Sequence, residues 1–196
     1  MFHPLPIPFI NTIRNTFGED GQKWLDDLPR ILREIRQRWN LTIHEPYDLT
    51  YNYVARATRP DGEQVVVKFG LPRPELRREI NALRLYNGWG MVRLIDADIQ
   101  QCVMLLEHLH PGLRINGIMG MDMNDEKATR TAAQLIQQLH QARVDTRLLR
   151  PVTEWADGLQ RAHQFASPFP MHLINFAQEL FADLLAAPQG LSLIHI

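Results

Sequence analysis

Two adjoining stretches, QVVVKFG at residues 64–70 and ELRREINALRLYN at residues 75–87, carry most of what this chain reveals about its architecture. Val65, Val66 and Val67 form a β-branched run of strand type, closed by a single charge, Lys68. Pro72 and Pro74 stop that strand. Leu76, Ile80, Leu83 and Tyr86 then recur at three- and four-residue steps, which predicts a helix ending at Gly88. A lysine in an apolar strand is costly without a partner. Glu79 lies on or beside the helix face that should pack on the sheet, so strand, short loop and helix can bring carboxylate and ammonium together. A lysine held in this way can offer fixed positive charge to a polyphosphate. The competing reading is a strand-end lysine that snorkels to water, and pattern alone weighs the two about evenly.

Upstream, YDLTYNYVARAT at 47–58 alternates apolar and polar residues as a strand does, through Leu49, Tyr51, Tyr53 and Ala55. Pro60, Asp61 and Gly62 supply turn chemistry and make it a hairpin with 64–70. Downstream, MVRLIDA (91–97) and CVMLLEHL (102–109) read as two further strands around a polar DIQQ turn. Cys102 is expected to be a small core residue of the second. Earlier in the chain, Trp24, Leu28, Ile31, Leu32, Ile35 and Trp39 mark one apolar helix face between Gly21 and Leu41. Pro29 predicts a break there, with the proline in the first turn of a second helix. The last third is all helix. One helix is capped by Asn124 or Asp125 and carries Ala128, Ala132, Leu135, Ile136 and Leu139. A second runs from about Thr153 through Ala162, and a third from Met171 to about Ala187. The expected organisation is a helical extension over 1–46, a β-rich lobe over 47–109, helices of a second lobe over 110–190, and a final hexapeptide at 191–196.

Composition narrows the function classes. The chain has 196 residues, with 21 Lys+Arg against 22 Asp+Glu, and 45% hydrophobic residues. That is an ordinary globular balance, and a net charge of −1 leaves no electrostatic footprint for nucleic acid or an anionic membrane. One cysteine excludes an internal disulfide and a multi-cysteine zinc site. No apolar run approaches the ~18 residues that span a bilayer. The opening MFHPLPIPFI is broken by Pro4, Pro6 and Pro8, unlike a signal peptide. A cytoplasmic protein is the expectation, with no nucleic acid or membrane partner; oligomeric state is not readable. His108-x-His110 lacks the further ligands a metal site needs. Met119, Met121 and Met123 suit a loosely packed loop between lobes. Arg73, Arg77 and Arg78 form a small basic cluster near Lys68 that could face phosphates, though the wet face of the Glu79 helix is the favoured reading.

The order of elements adds to the Lys68–Glu79 pair. Two strands, a lysine strand, a glutamate helix, two strands and an exit into helices is the small-lobe plan of protein-kinase-like enzymes. In those folds the last strand, here Met104–Leu109, runs into a hinge whose backbone binds adenine, and the nucleotide loop falls at Tyr51-Asn52-Tyr53-Val54. There is no G-x-G-x-x-G at that loop.

Longer stretches resemble a particular family. LTYNYVARATRPDGEQVVVKFG, ELRREINALRLYNGWGMVRLIDAD and VMLLEHLHPG are similar to the aminoglycoside/hydroxyurea antibiotic resistance kinases, near their streptomycin 6-phosphotransferase branch. FGEDGQKWLDDLP resembles the family's N-terminal helices, and TEWADGLQRAH with FPMHLINFAQELFADLL resembles the part of the large lobe before its catalytic loop. The likeness covers roughly residues 9–190, and the family uses an atypical loop without the glycines. It implies an α+β, protein-kinase-like two-lobe fold with the small lobe complete and the large lobe incomplete. It implies ATP-dependent transfer of a phosphoryl group to a hydroxyl of a small molecule, an aminoglycoside or hydroxyurea. Lys68 would bind the phosphates, Glu79 would orient Lys68, Glu107, His108 and Leu109 would hold adenine, and Tyr51 and Asn52 would lie in the nucleotide loop. Family members place the catalytic Asp in an H-G-D-x-x-x-x-N loop, with Mg²⁺ ligands there and at a later Asp. This sequence contains no H-G-D, and its last six residues, LSLIHI, match the in-frame translation of a transposon mosaic-end adapter, a reading favoured over an apolar hexapeptide that begins a buried strand. The expectation is a truncated, inactive kinase chain, with Mg²⁺ ligands beyond its end. The alternative is a non-catalytic nucleotide-binding or interaction module built on the same lobe.

Overall fold

The structure is a computed structural model that describes residues 4–110, 112, 125–142, 145, 149, 152–164 and 170–186. The first helix, α1 (Ile7–Arg38), folds back on itself at Gly18, whose φ of 57° and ψ of −132° lie where side-chain-bearing residues rarely go. Phe9 and Trp24 would stand about 22 Å apart along a straight helix, yet their rings meet at 6.2 Å. Gly21 passes so close to the Ile13 carbonyl that a Cβ there would need the backbone to move. The break expected at Pro29 is therefore a break at Gly18, and the helix runs straight through Pro29. Trp24, Leu25 and Leu28 on one side of the proline and Ile31, Leu32 and Ile35 on the other are all buried. Burial of that continuous stripe outweighs the one helical hydrogen bond the proline forfeits.

Five antiparallel strands follow: β1 (Thr42–Pro46), β2 (Tyr53–Thr58), β3 (Gln64–Phe69), β4 (Leu94–Asp98) and β5 (Val103–Glu107). Their spatial order is β1-β2-β3-β5-β4. Helix α2 (Pro74–Tyr86) joins β3 to β4 and ends at Asn87 in the left-handed region, with φ 45°. This sheet and helix are compatible with the small lobe of a protein-kinase-like fold. Strand β1 lies inside the segment read from sequence as helical extension. At five residues, an edge position and no clean alternation, TIHEP gives little strand signal. The strand read over 47–58 begins only at Tyr53, and residues 47–52 are instead the β1–β2 connection. Cys102 is fully buried, as expected, but precedes β5 in a turn, with φ 51°.

Alternation along β3 sorts the core into two layers. Val65, Val67 and Phe69 face α1, together with Tyr53, Ala55, Ala57, Val103 and Leu105. Leu76, Ile80 and Leu83 of α2 pack with Cys102, Met104 and Leu106 on the opposite side, and Val66 joins them. Polar bonds fasten α1 to the far end of the sheet: the Trp39 indole N–H donates to Asp96 Oδ2 at 2.6 Å, and Arg38 pairs with Asp98 at 2.6 Å.

Helix α3 (Asp125–Gln141) groups with the sheet in a unit covering 1–142, and residues 143–196 form a second unit. The described part of the second unit contains a 3₁₀ turn (Val152–Trp155), α4 (Ala156–Gln164) and α5 (Met171–Ala186). Ile174 of α5 is buried, whereas Leu173, Phe176, Leu180, Leu184 and Leu185 of the same helix are exposed. Asn124 and the methionines at 119, 121 and 123 lie outside the described residues, as does the segment 191–196. Among the described residues, no helix is long and apolar enough to cross a membrane.

Candidate functional site

Lys68 pairs with Val54 on one side and Met104 on the other, near the centre of the sheet. Its neighbours in sequence, Val67 and Phe69, point into the α1 layer, so the two-residue period of the strand turns Lys68 toward α2. There its Nζ donates to Glu79 Oε1 at 2.5 Å. The lysine side chain retains 22% of its exposure and the glutamate 37%, so the pair is partly covered and partly open to solvent. The expected pair is thus formed, and among the described residues Glu79 takes one of the ammonium's three donors.

The nucleotide-loop candidates, Tyr51 and Asn52, lie at the end of the β1–β2 connection. That connection is tied at both ends. At its base Tyr47 N–H donates to Val54 C=O at 2.9 Å, and the Tyr47 hydroxyl meets His108 Nε2 at 3.2 Å. At its far end Asn52 lies against Gly70, where any Cβ would collide with the amide oxygen. Tyr51 is exposed and meets the edge of the Phe17 ring with centroids 6.4 Å apart. A cavity of about 370 Å³ is lined by Phe17, Tyr51, Asn52, Arg73, Glu75 and Glu79, over the apolar floor of Leu71 and Leu76. Glu79 is therefore the residue common to the lysine pair and the loop cavity.

The three hinge candidates behave differently from one another. Glu107 ends β5, and its N–H donates to the Arg93 carbonyl at 3.0 Å. Its carboxylate accepts from the Arg93 N–H at 2.6 Å. That leaves its own carbonyl as the group that could serve a ligand. His108 Nδ1 lies 3.0 Å from His110 Nε2. Its basicity is lowered by desolvation first, and then by the neighbouring charges of His110 and Arg56. Leu109 is more than half exposed. Among the described residues, no backbone–backbone bond engages the amides of His108 or Leu109. The H-x-H pair is a hydrogen-bonded couple on Tyr47, and among the described residues no group of three or more His, Cys, Asp or Glu could hold a metal.

Sequence reasoning missed Phe17, and weighed Arg73 only as one member of a basic cluster. The arginine is half exposed, as the wet-face reading expects, and it also lines the loop cavity, with its guanidinium over the Phe17 ring at 5.1 Å from the centroid. The available signal was the Phe17-Gly18 pair, because a glycine in a helical stretch is where a helix can turn back.

The family described as aminoglycoside/hydroxyurea antibiotic resistance kinase matches residues 38–196, most of the chain. The chain belongs to that family. Among characterised relatives, a streptomycin 6-kinase of Streptomyces glaucescens is 39% identical over 106 residues, covering 54% of this chain and 34% of that enzyme. The streptomycin 6-kinase of Streptomyces griseus is 31% identical over 124 residues, 63% of this chain and 39% of the enzyme. A hydroxyurea phosphotransferase of Kitasatospora aureofaciens is 29% identical over 185 residues, 91% of this chain and 53% of that protein. The chain thus spans between a third and about half of the relatives it matches.

Proposed function

We propose that this chain carries the nucleotide-binding lobe of a small-molecule kinase that phosphorylates a hydroxyl of an aminoglycoside such as streptomycin, or hydroxyurea. The observation that supports it best is the Lys68–Glu79 pair, set beside the cavity of the β1–β2 connection in a chain of this family. The donor set fits ATP. A polyphosphate needs a cation held in place, and adenine needs backbone groups beside an apolar strand end. Lys68 is of the first kind, and the amides of His108 and Leu109, which no backbone–backbone bond engages among the described residues, are of the second. The described residues do not fit Mg²⁺, so no step is assigned to it.

When bound, ATP supplies the phosphoryl group to be transferred. Lys68 neutralises phosphate charge, and Glu79 restricts the ammonium to one direction, so less side-chain freedom is lost on binding. Tyr51 and Asn52 would line the phosphate side of the site, and Gly70 leaves room for the Asn52 amide. Glu107, His108 and Leu109 offer backbone groups to the base. Positioning of an acceptor hydroxyl needs a carboxylate of the H-G-D kind, and this sequence holds no H-G-D. The 196-residue chain is therefore expected to bind ATP without turning it over. That sequence feature also favours the second reading, a nucleotide-binding module without catalysis.

The test is to titrate the chain with Mg-ATP and, separately, to follow transfer of labelled phosphate to streptomycin and to hydroxyurea. Saturable binding without transfer agrees with the proposal, and no binding at millimolar ATP overturns it. Transfer to either acceptor would contradict the inactivity of this chain.

A further inference from the structure

Beyond the lysine pair, the loop cavity holds a second cation that no family pattern led to, and it is supported from an unexpected direction. Arg73 is the residue before α2, and its backbone begins that helix without any side-chain capping bond. Its guanidinium is thus not needed to start the helix. It lies instead over the Phe17 ring, 5.1 Å from the centroid, within the range of a cation–π contact. Phe17 is brought there by the Gly18 turn, and its ring also meets Tyr51 of the nucleotide-loop candidate. Phe17, Tyr51, Asn52, Arg73 and Glu79 line one cavity. Its acidic members are already matched. Glu79 is bound to Lys68, and Glu75 lies 3.7 Å from Arg73, a long and half-exposed pair that a better acceptor can replace.

We propose that Arg73, braced on the Phe17 ring, is a second cation for the phosphate chain, so that the N-terminal helix is a working part of the nucleotide site. This rests on the nucleotide reading above. A flat guanidinium presents paired N–H groups to phosphate oxygens, which a lysine cannot do. Phe17 is a positioning residue that acts through Arg73 and touches no phosphate.

The experiment measures the affinity of the 196-residue chain for a non-hydrolysable ATP analogue with Mg²⁺, and for adenosine, which lacks phosphates. Arg73→Ala should weaken the analogue about 5- to 10-fold and leave adenosine within about twofold. Arg73→Lys should fall between, and it serves as the test if the alanine variant melts early. Phe17→Leu keeps apolar bulk without the ring face. It should reproduce part of the loss and add nothing in the Arg73→Ala background. If Lys68→Ala weakens the analogue but Arg73→Ala does not, the second cation is refuted and the nucleotide reading stands. Equal losses for analogue and adenosine would show a role in shaping the cavity only, which overturns the proposal. Additive losses for Phe17 and Arg73 refute the bracing. A wild-type chain that binds neither ligand removes both readings.

Discussion

The two faces of the five-stranded sheet are built from the same strands and do opposite jobs. Toward α1, β3 presents Val65, Val67 and Phe69, and every residue of that layer is apolar or aromatic. Tyr53 belongs to it too, and burial raises its hydroxyl to a pKa of about 12, so the phenol stays neutral. Toward α2 the same strand presents Val66 and then Lys68, and the apolar layer of Ile80, Met104 and Leu106 gives way to an ion pair at the surface. A two-residue period lets one strand serve stability on one side and charge on the other, and a one-residue slip would exchange them. The α1 face of the sheet should then govern folding, and the α2 face, joined by Phe17 from the Gly18 turn of α1, should govern nucleotide binding.

Substitutions can separate the two. The largest expected effect is on the α1 face: Leu28→Ala removes a fully buried side chain and should lower unfolding free energy by about 2–5 kcal/mol in a urea titration. Gly18→Ala should follow, at about 1–3 kcal/mol. Its backbone conformation is one side chains rarely adopt, and nothing lies within 4 Å to clash, so the cost is conformational. Lys68→Ala should reverse the pattern. It should weaken ATP about tenfold, yet change stability by only about 0–1 kcal/mol, because the pair is partly exposed. A large loss of stability there would erase the division of labour.

The smallest effect is pH dependence at Asp98. Burial pushes its carboxyl up, but the amides of Gln101 and Gln100 and the Arg38 guanidinium together outweigh this and hold it below the usual value. A group whose folded pKa is lowered adds stability that is present above its unfolded value, near pH 4, and is lost as pH falls through the folded one. Asp98→Asn should therefore flatten the acid limb of a stability-against-pH curve and leave neutral-pH ATP affinity unchanged.

Much of this was legible in the sequence where a local pattern agreed with its packing. The Lys68 strand and Glu79 helix follow from β-branching, two prolines and a helical period, and the structure joins them in the expected pair. Elements whose form depends on distant partners were not legible. Strand β1 exists because β2 pairs with it, not because TIHEP prefers extended backbone. Pro29 stays helical because the stripe around it has a sheet to cover. Tyr51 and Asn52 alternate like strand residues but form a connection, since Tyr47 closes onto Val54. Arg73 is half exposed, as its place in a basic cluster suggested, but its contact with Phe17 had no local signal because the ring lies 56 positions earlier in the chain.

The most direct test of the divided sheet is a paired titration of the wild-type chain and Lys68→Ala with Mg-ATP and with adenosine, at a temperature where both are folded. The account predicts that the substitution weakens ATP about tenfold, leaves adenosine unaffected and preserves the melt. Unchanged ATP affinity in a folded Lys68→Ala chain would contradict it.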